Sequence, residues 1–162
     1  SRTLETGGGM SKPTWVQPHP SKPVAYVAHN GADEVVAVDL DAWEVTERFA
    51  TGKGTSPYNL DVTPDGSTLV VTYKGSGETG IWDVETGTRR ALVENTRGVS
   101  HGVVITPDSR YAFVTAEGVG GEPGAVDVID LSTGEKVAYA DVGAQAGGIA
   151  FWKMEAGEAA SR

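Results

Sequence analysis

Val62-Thr63-Pro64-Asp65-Gly66 recurs as Ile105-Thr106-Pro107-Asp108-Ser109, with Pro64 and Pro107 standing 43 residues apart. A weaker third copy, Pro18-His19-Pro20-Ser21-Lys22, places Pro20 44 residues before Pro64. The segments that follow keep the register: Val24-Ala25-Tyr26-Val27-Ala28, Leu69-Val70-Val71-Thr72-Tyr73 and Tyr111-Ala112-Phe113-Val114-Thr115. So do Val36-Ala37-Val38-Asp39-Leu40, Gly80-Ile81-Trp82-Asp83-Val84 and Asp127-Val128-Ile129-Asp130-Leu131, whose aspartates Asp39, Asp83 and Asp130 lie 44 and 47 residues apart. The three extra residues of the second interval fall in a glycine-rich loop. A fixed period in this range marks a repeat architecture.

Within each unit the sequence reads as four short alternating runs, rich in β-branched residues and separated by turn chemistry. In the clearest copy strands are expected at 58–62, 68–73, 80–84 and 89–93, with turns at Pro64-Asp65-Gly66 and Glu85-Thr86-Gly87. Proline presets φ for a turn, aspartate bonds nearby amides, and glycine accepts positive φ. No run has helical period, which excludes paired-helix solenoids, and the period itself excludes leucine-rich repeats. Four strands every ~40–45 residues is the signature of a propeller blade.

Composition agrees with that architecture and narrows the partners. The chain has 162 residues, about one domain by length, and such a chain buries about 70% of its unfolded surface. Its 22 glycines are about twice the usual ~7% share, as many tight turns require. With 22 acidic against 13 basic residues the formal net charge is −9, which argues against nucleic acid as a partner. There is no cysteine, so disulfides, thiolate metal sites and thiol nucleophiles are all excluded. The longest apolar runs are about four residues, far below the ~20 of a membrane-spanning helix. The opening Ser1-Arg2-Thr3 has neither an initiator Met nor an apolar targeting region, pointing to processing or trimming.

Tyr26-Val27-Ala28-His29-Asn30 followed by Val36-Ala37-Val38-Asp39-Leu40 resembles the YVTN family of β-propeller repeats. Phe113-Val114-Thr115-Ala116 with Val128-Ile129-Asp130, and Val70-Val71-Thr72-Tyr73 with Trp82-Asp83, carry the same frame, though no copy matches the four-letter motif perfectly. The resemblance covers roughly Thr14 to Phe151. It implies a toroid of WD40-like blades whose first strand lines a central channel, and an extracytoplasmic location, periplasmic or at the cell surface. It implies no single reaction, because the family includes surface-layer, adhesion and lactonase-like proteins.

The repeat also divides the chain. Residues 3–7 align with 48–52, so the expected organisation opens at 1–12 with the outer strand of an incomplete blade and a loop. Three blades follow at 13–52, 53–95 and 96–143. Residues 147–151 align with 101–105, giving a closing inner strand at 144–153 before a polar tail at 154–162. Closed propellers have 4 to 8 blades, and three leave two apolar flanks without neighbours. The expectation is therefore an all-β portion of a larger propeller lacking its N-terminal blades, or a chain that completes its ring by self-association.

Strand alternation places the entry to each inner strand and the loop between second and third strands on one face, called the top. Trp15, Tyr58, Asn59 and His101 are expected there at the channel mouth, with Asp61 further along an inner strand, and these five form the candidate ligand site. His29, Asp33, Glu34, Tyr73, Glu78, Glu117 and Glu122 fall in top loops, whereas His19 falls at the bottom. His29 and His101 with a carboxylate such as Asp33 or Glu78 have the chemistry of a divalent metal site, although they lack local ligand spacing. No cofactor is predicted, and a bound divalent metal stays open.

Other features carry less. Gly75-Ser76-Gly77-Glu78-Thr79-Gly80 matches a phosphate-cradle pattern literally, but a strand follows it where that chemistry needs a helix N-terminus. Ser100 and His101 are adjacent on a strand and point to opposite faces, so they are not nucleophile and base together. Trp43, Trp82 and Trp152 read as packing residues, leaving Trp15 as the tryptophan at the channel mouth. The expected function is a non-catalytic binding or scaffolding module that meets its ligand or protein partner on the top face. One alternative is a lactonase-like or metal-assisted hydrolase using Asp61, His101 and Asn59. Another is a propeller portion built or trimmed so that it self-assembles.

Overall fold

The structure, a computed structural model, describes residues 2–154. Twelve strands occur in chain order: β1 (Pro13–Pro18), β2 (Val24–His29), β3 (Glu34–Asp39), β4 (Glu44–Ala50), β5 (Pro57–Val62), β6 (Thr68–Tyr73), β7 (Glu78–Asp83), β8 (Arg89–Glu94), β9 (Val99–Ile105), β10 (Tyr111–Glu117), β11 (Gly124–Asp130) and β12 (Glu135–Val142). They form three antiparallel four-stranded sheets, β1–β4, β5–β8 and β9–β12, each in simple sequential order. This is the all-β blade architecture expected from the repeat. Among the described residues no helix is long and apolar enough to cross a membrane.

The third strand of the middle blade begins two residues before the expected Gly80. Tyr73 pairs with Glu78, and Glu78 with Glu94, so the ladder runs to the edge of the turn. Gly77, at φ 70°, supplies the positive-φ corner, and the glycine-rich pattern at 75–80 serves a hairpin and then a strand. The turn after each third strand is capped alike: Asp39 accepts from the amides of Asp41 and Ala42, Asp83 from Thr86, and Asp130 from Ser132.

The core lies between blades, as repeat stacking requires. Tyr26, Ala28, Val35 and Phe49 of the first sheet pack against Leu60, Leu69, Val71, Tyr73 and Trp82 of the second. Phe49 bridges the two, 6.2 Å from Tyr26 and 6.0 Å from Trp82 between ring centroids. Trp82 Nε1 donates to the Tyr73 hydroxyl at 2.8 Å, and a Cβ on Gly80 would collide with that hydroxyl. A second cluster joins Val70, Ile81 and Val93 to Val103, Ala112, Val114 and Ile129.

Threonine hydroxyls tie each inner strand to the preceding blade. Thr14 donates to the Tyr58 carbonyl at 2.8 Å, Thr72 to the His101 carbonyl at 2.6 Å, and Thr115 to the Gly147 carbonyl at 2.6 Å. Pairing registers shift at Pro13/Trp15 in β1, at Pro57/Leu60 in β5, and opposite Val114/Ala116 in β9. In β5 and β9 the bulge holds the residue, Tyr58 or His101, whose carbonyl accepts from the neighbouring blade. Asp61 adds a second link, accepting from the amide of Ile105 at 3.1 Å as well as from Val62 at 2.9 Å.

Neither expected terminal strand forms among the described residues: residues 2–12 and 143–154 carry no strand. A ladder needs a partner, and the incomplete blade has no second or third strand here to bond either segment. Gly147 nevertheless accepts from Thr115 as Tyr58 and His101 accept from Thr14 and Thr72, and it also accepts from the Gly102 amide at 3.2 Å. At the other end the Arg2 guanidinium lies 5.3 Å over the ring of Trp43. Trp43 itself is at φ 60°, where the other blades place Gly87 and Gly134 at φ 65° and 73°. The expectation that Trp152 is a packing residue is corrected: it is 87% exposed, having no closing strand to sit on. Apart from Met154, the expected polar tail lies outside the described residues.

Candidate functional site

The bulged ends of the inner strands converge on an open groove of about 740 Å³. Trp15 from β1, Tyr58, Asn59 and Asp61 from β5, and His101 from β9 all line it, so the structure brings the five channel-mouth residues together. All three blades contribute, because each inner strand presents its bulge to the same side. Tyr58 meets the His101 ring edge-on at 5.2 Å between centroids.

Polar groups in the groove differ in how well they are satisfied. His101 Nε2 lies 2.7 Å from Glu117 Oε2, pairing the ring with the end of β10. Asp61 is partly buried, and that burial raises its carboxyl above the usual carboxylate range, against the two amides that bond it. Asn59 Oδ1 is shielded from solvent and has no hydrogen-bond partner among the described residues. A buried acceptor left unmet costs about 1–3 kcal/mol, so it is a place where a donor from outside gains.

The histidine pair expected as metal ligands is not assembled. His29 is fully buried in the first blade, with Nε2 3.0 Å from Thr6 Oγ1 and Nδ1 3.1 Å from Glu34 Oε1. Arg48 also binds that Glu34 oxygen at 2.6 Å and reaches the Thr6 carbonyl at 3.0 Å. His29 thereby fastens the N-terminal segment to the first blade, while His101 faces the groove with Glu117. Among the described residues no group of three His, Asp or Glu side chains could hold a metal ion.

His19 is at the bottom and is structural. Its Nδ1 accepts from the amides of Ser21 and Lys22, so Nε2 carries the proton it donates to the Gly66 carbonyl at 3.1 Å. Ser100 is fully buried and donates to Asn95 Oδ1, away from the side occupied by His101. Sequence reasoning placed Glu117 in a top loop without linking it to His101. Glu117 pairs with Val99, two residues before His101, and the bulge between them is not announced by the sequence. Gln145 and Phe151 also line the groove and were missed, because no strand pattern positions them.

No family model matches this chain, and no curated protein matches it. Among solved structures it is similar to Kuenenia stuttgartiensis hydrazine synthase, with 24% sequence identity and a TM-score of 0.75. The match covers 88% of this chain and 40% of that one, so the chain spans less than half the length of the protein it resembles. At that identity the likeness shows the fold alone, and the fold it shows is propeller-like.

Proposed function

We propose that this chain is a non-catalytic propeller module, similar to the YVTN repeats, that binds a ligand in the groove formed by its inner strands. The observation that carries this reading is the convergence of Trp15, Tyr58, Asn59, Asp61 and His101 from three blades on one cavity of ligand size. The test is a screen of small fragments followed by amide and indole NMR shifts. Shifts clustered on Trp15, Asn59 and Gly102 are expected, and shifts scattered with no groove cluster refute the reading.

A hydrolytic reading draws on one contact, the 2.7 Å His101–Glu117 pair, which has the form of a base oriented by a carboxylate. Esterase or lactonase turnover that is lost in His101→Ala would establish it, and absence of turnover with bound ligand favours the module.

The ring is proposed to continue beyond these blades. Val16 is 57% exposed, whereas its equivalents Leu60 and Val103 are 1% and 5% exposed beneath a preceding blade. Repeat stability comes from such interfaces, so a further blade of the same kind, from the same polypeptide or a second copy, is the partner this flank fits. Light scattering with metal analysis on the same peak tests this: a multimer is expected of the isolated chain, and a ~17 kDa monomer at every concentration would sink the idea.

A further inference from the structure

The charge of the groove is one-sided. Among the described residues two of its lining side chains are carboxylates, Asp61 and Glu117, and none is a lysine or an arginine. The Asp61 oxygens each take one amide, at 2.9 and 3.1 Å, and each keeps a second lone pair for another donor. Asn59 Oδ1 adds an acceptor that has no partner among the described residues. His101 and Glu117 pair with each other at 2.7 Å, so Asp61 is the lining carboxylate with only backbone amides against it among the described residues.

Aromatic faces complete the environment. Trp15, Tyr58 and Phe151 line the groove, and Trp15 is 45% exposed on an inner strand whose residues Pro13 to Val16 are all exposed. The Lys74 ammonium lies 4.7 Å over the Tyr58 ring and takes one of its faces, which leaves exposed Trp15 as the open aromatic surface. A neutral apolar ligand would leave Asn59 and Asp61 unmet, and an anion would face both carboxylates. An N–H-bearing cation satisfies all three acceptors and the rings at once.

We infer that the groove binds a small organic cation bearing N–H donors, an alkylammonium or alkylguanidinium, held between Asp61, Asn59 and Glu117 with its alkyl part on Trp15. The inference rests on the reading of the groove as the ligand site. Burial of Asp61 supports it, since a desolvated carboxylate gains most from a positive partner.

The test titrates n-butylammonium and n-butylguanidinium against butyrate and tetramethylammonium, reading the Trp15 indole and the Asn59 and Gly102 amides by NMR. Saturable shifts are expected with the two N–H cations, with butyrate at least about tenfold weaker and tetramethylammonium about threefold weaker. Asp61→Asn and Glu117→Gln are each expected to weaken butylguanidinium about three- to tenfold, and Lys74→Ala is not. Among the described residues the Glu117 side chain hydrogen-bonds His101 alone, so Glu117→Gln remains informative even where Asp61→Asn fails to fold. Equal binding of butyrate, or unchanged binding in a folded carboxylate variant, overturns the cation while shifts that stay in the groove preserve the groove reading. Shifts that lie outside the groove for every probe overturn both. Absence of saturation with either N–H cation at tens of millimolar overturns the cation inference.

Discussion

Replacing Thr72 by valine removes one hydroxyl and almost no volume, and it cuts the tie between the second and third blades. That hydroxyl donates to the His101 carbonyl at 2.6 Å and accepts from the Asn59 amide at 3.0 Å, and Thr72 is fully buried. Each hydrogen bond contributes about 1 kcal/mol net, and the stranded carbonyl and amide add part of a desolvation cost of about 1–3 kcal/mol. A loss of about 2–3 kcal/mol follows. At about 2–4 °C per kcal/mol for a chain of this size, the midpoint should fall by about 4–12 °C. Thr14→Val is the matched control, because its 2.8 Å bond to the Tyr58 carbonyl lies at an exposed position and is worth about 0.5–1 kcal/mol. Urea unfolding followed by tryptophan fluorescence and circular dichroism gives both values, with the denaturant slope unchanged. If Thr72→Val costs less than about 0.5 kcal/mol, or no more than Thr14→Val, the hydroxyl is not what joins the blades.

Three further outcomes are expected. Gly80→Ala should destabilise by about 1–3 kcal/mol, because its Cβ collides with the Tyr73 hydroxyl; near-UV circular dichroism reporting an unaltered Trp82 environment with full stability would contradict this. His19→Ala should cost about 2–4 kcal/mol by leaving the Ser21 and Lys22 amides and the Gly66 carbonyl unmet, measured by thermal unfolding. Acid should destabilise the chain below the ordinary carboxylate pKa of 3.8, because Asp65, Asp108 and Asp130 are held low chiefly by the hydroxyls of Thr63, Thr106 and Ser132, and Asp83 by the Thr86 amide. A depressed folded pKa stabilises above the unfolded value and is lost as pH falls through the folded one, whereas Asp61, raised by burial, contributes the opposite slope. Asp108→Asn should therefore flatten the acid limb of a pH–stability curve, and an unchanged limb would count against the hydroxyl contacts.

The blades were legible because their signals are local. Pro64-Asp65-Gly66 and its copy fix turns through φ and short side-chain bonds, and the alternating direction of successive strands then puts Tyr58 and His101 at one end of the blades. The terminal strands were not legible as loops, because residues 147–151 carry a strand pattern and lack only partners, which no alternation within the chain reveals. Trp43 holds the place in the repeat of Gly87 and Gly134, and the left-handed backbone there is what a bulky residue does not announce. The His101–Glu117 contact depends on a bulge, and a bulge shifts register by one residue in a way that composition does not announce.

The threonine ties end on main-chain oxygens. Tyr58, His101 and Gly147 have nothing in common as side chains, yet all three accept the same kind of hydroxyl at 2.6–2.8 Å. Any amino acid offers that oxygen, so assembly places no demand on what projects from those three positions. The joints that hold the blades together are thus also the points where chemistry can be exchanged without loosening the frame. A library randomised at 58, 101 and 147 would alter recognition while leaving the scaffold's folding requirements in the threonines.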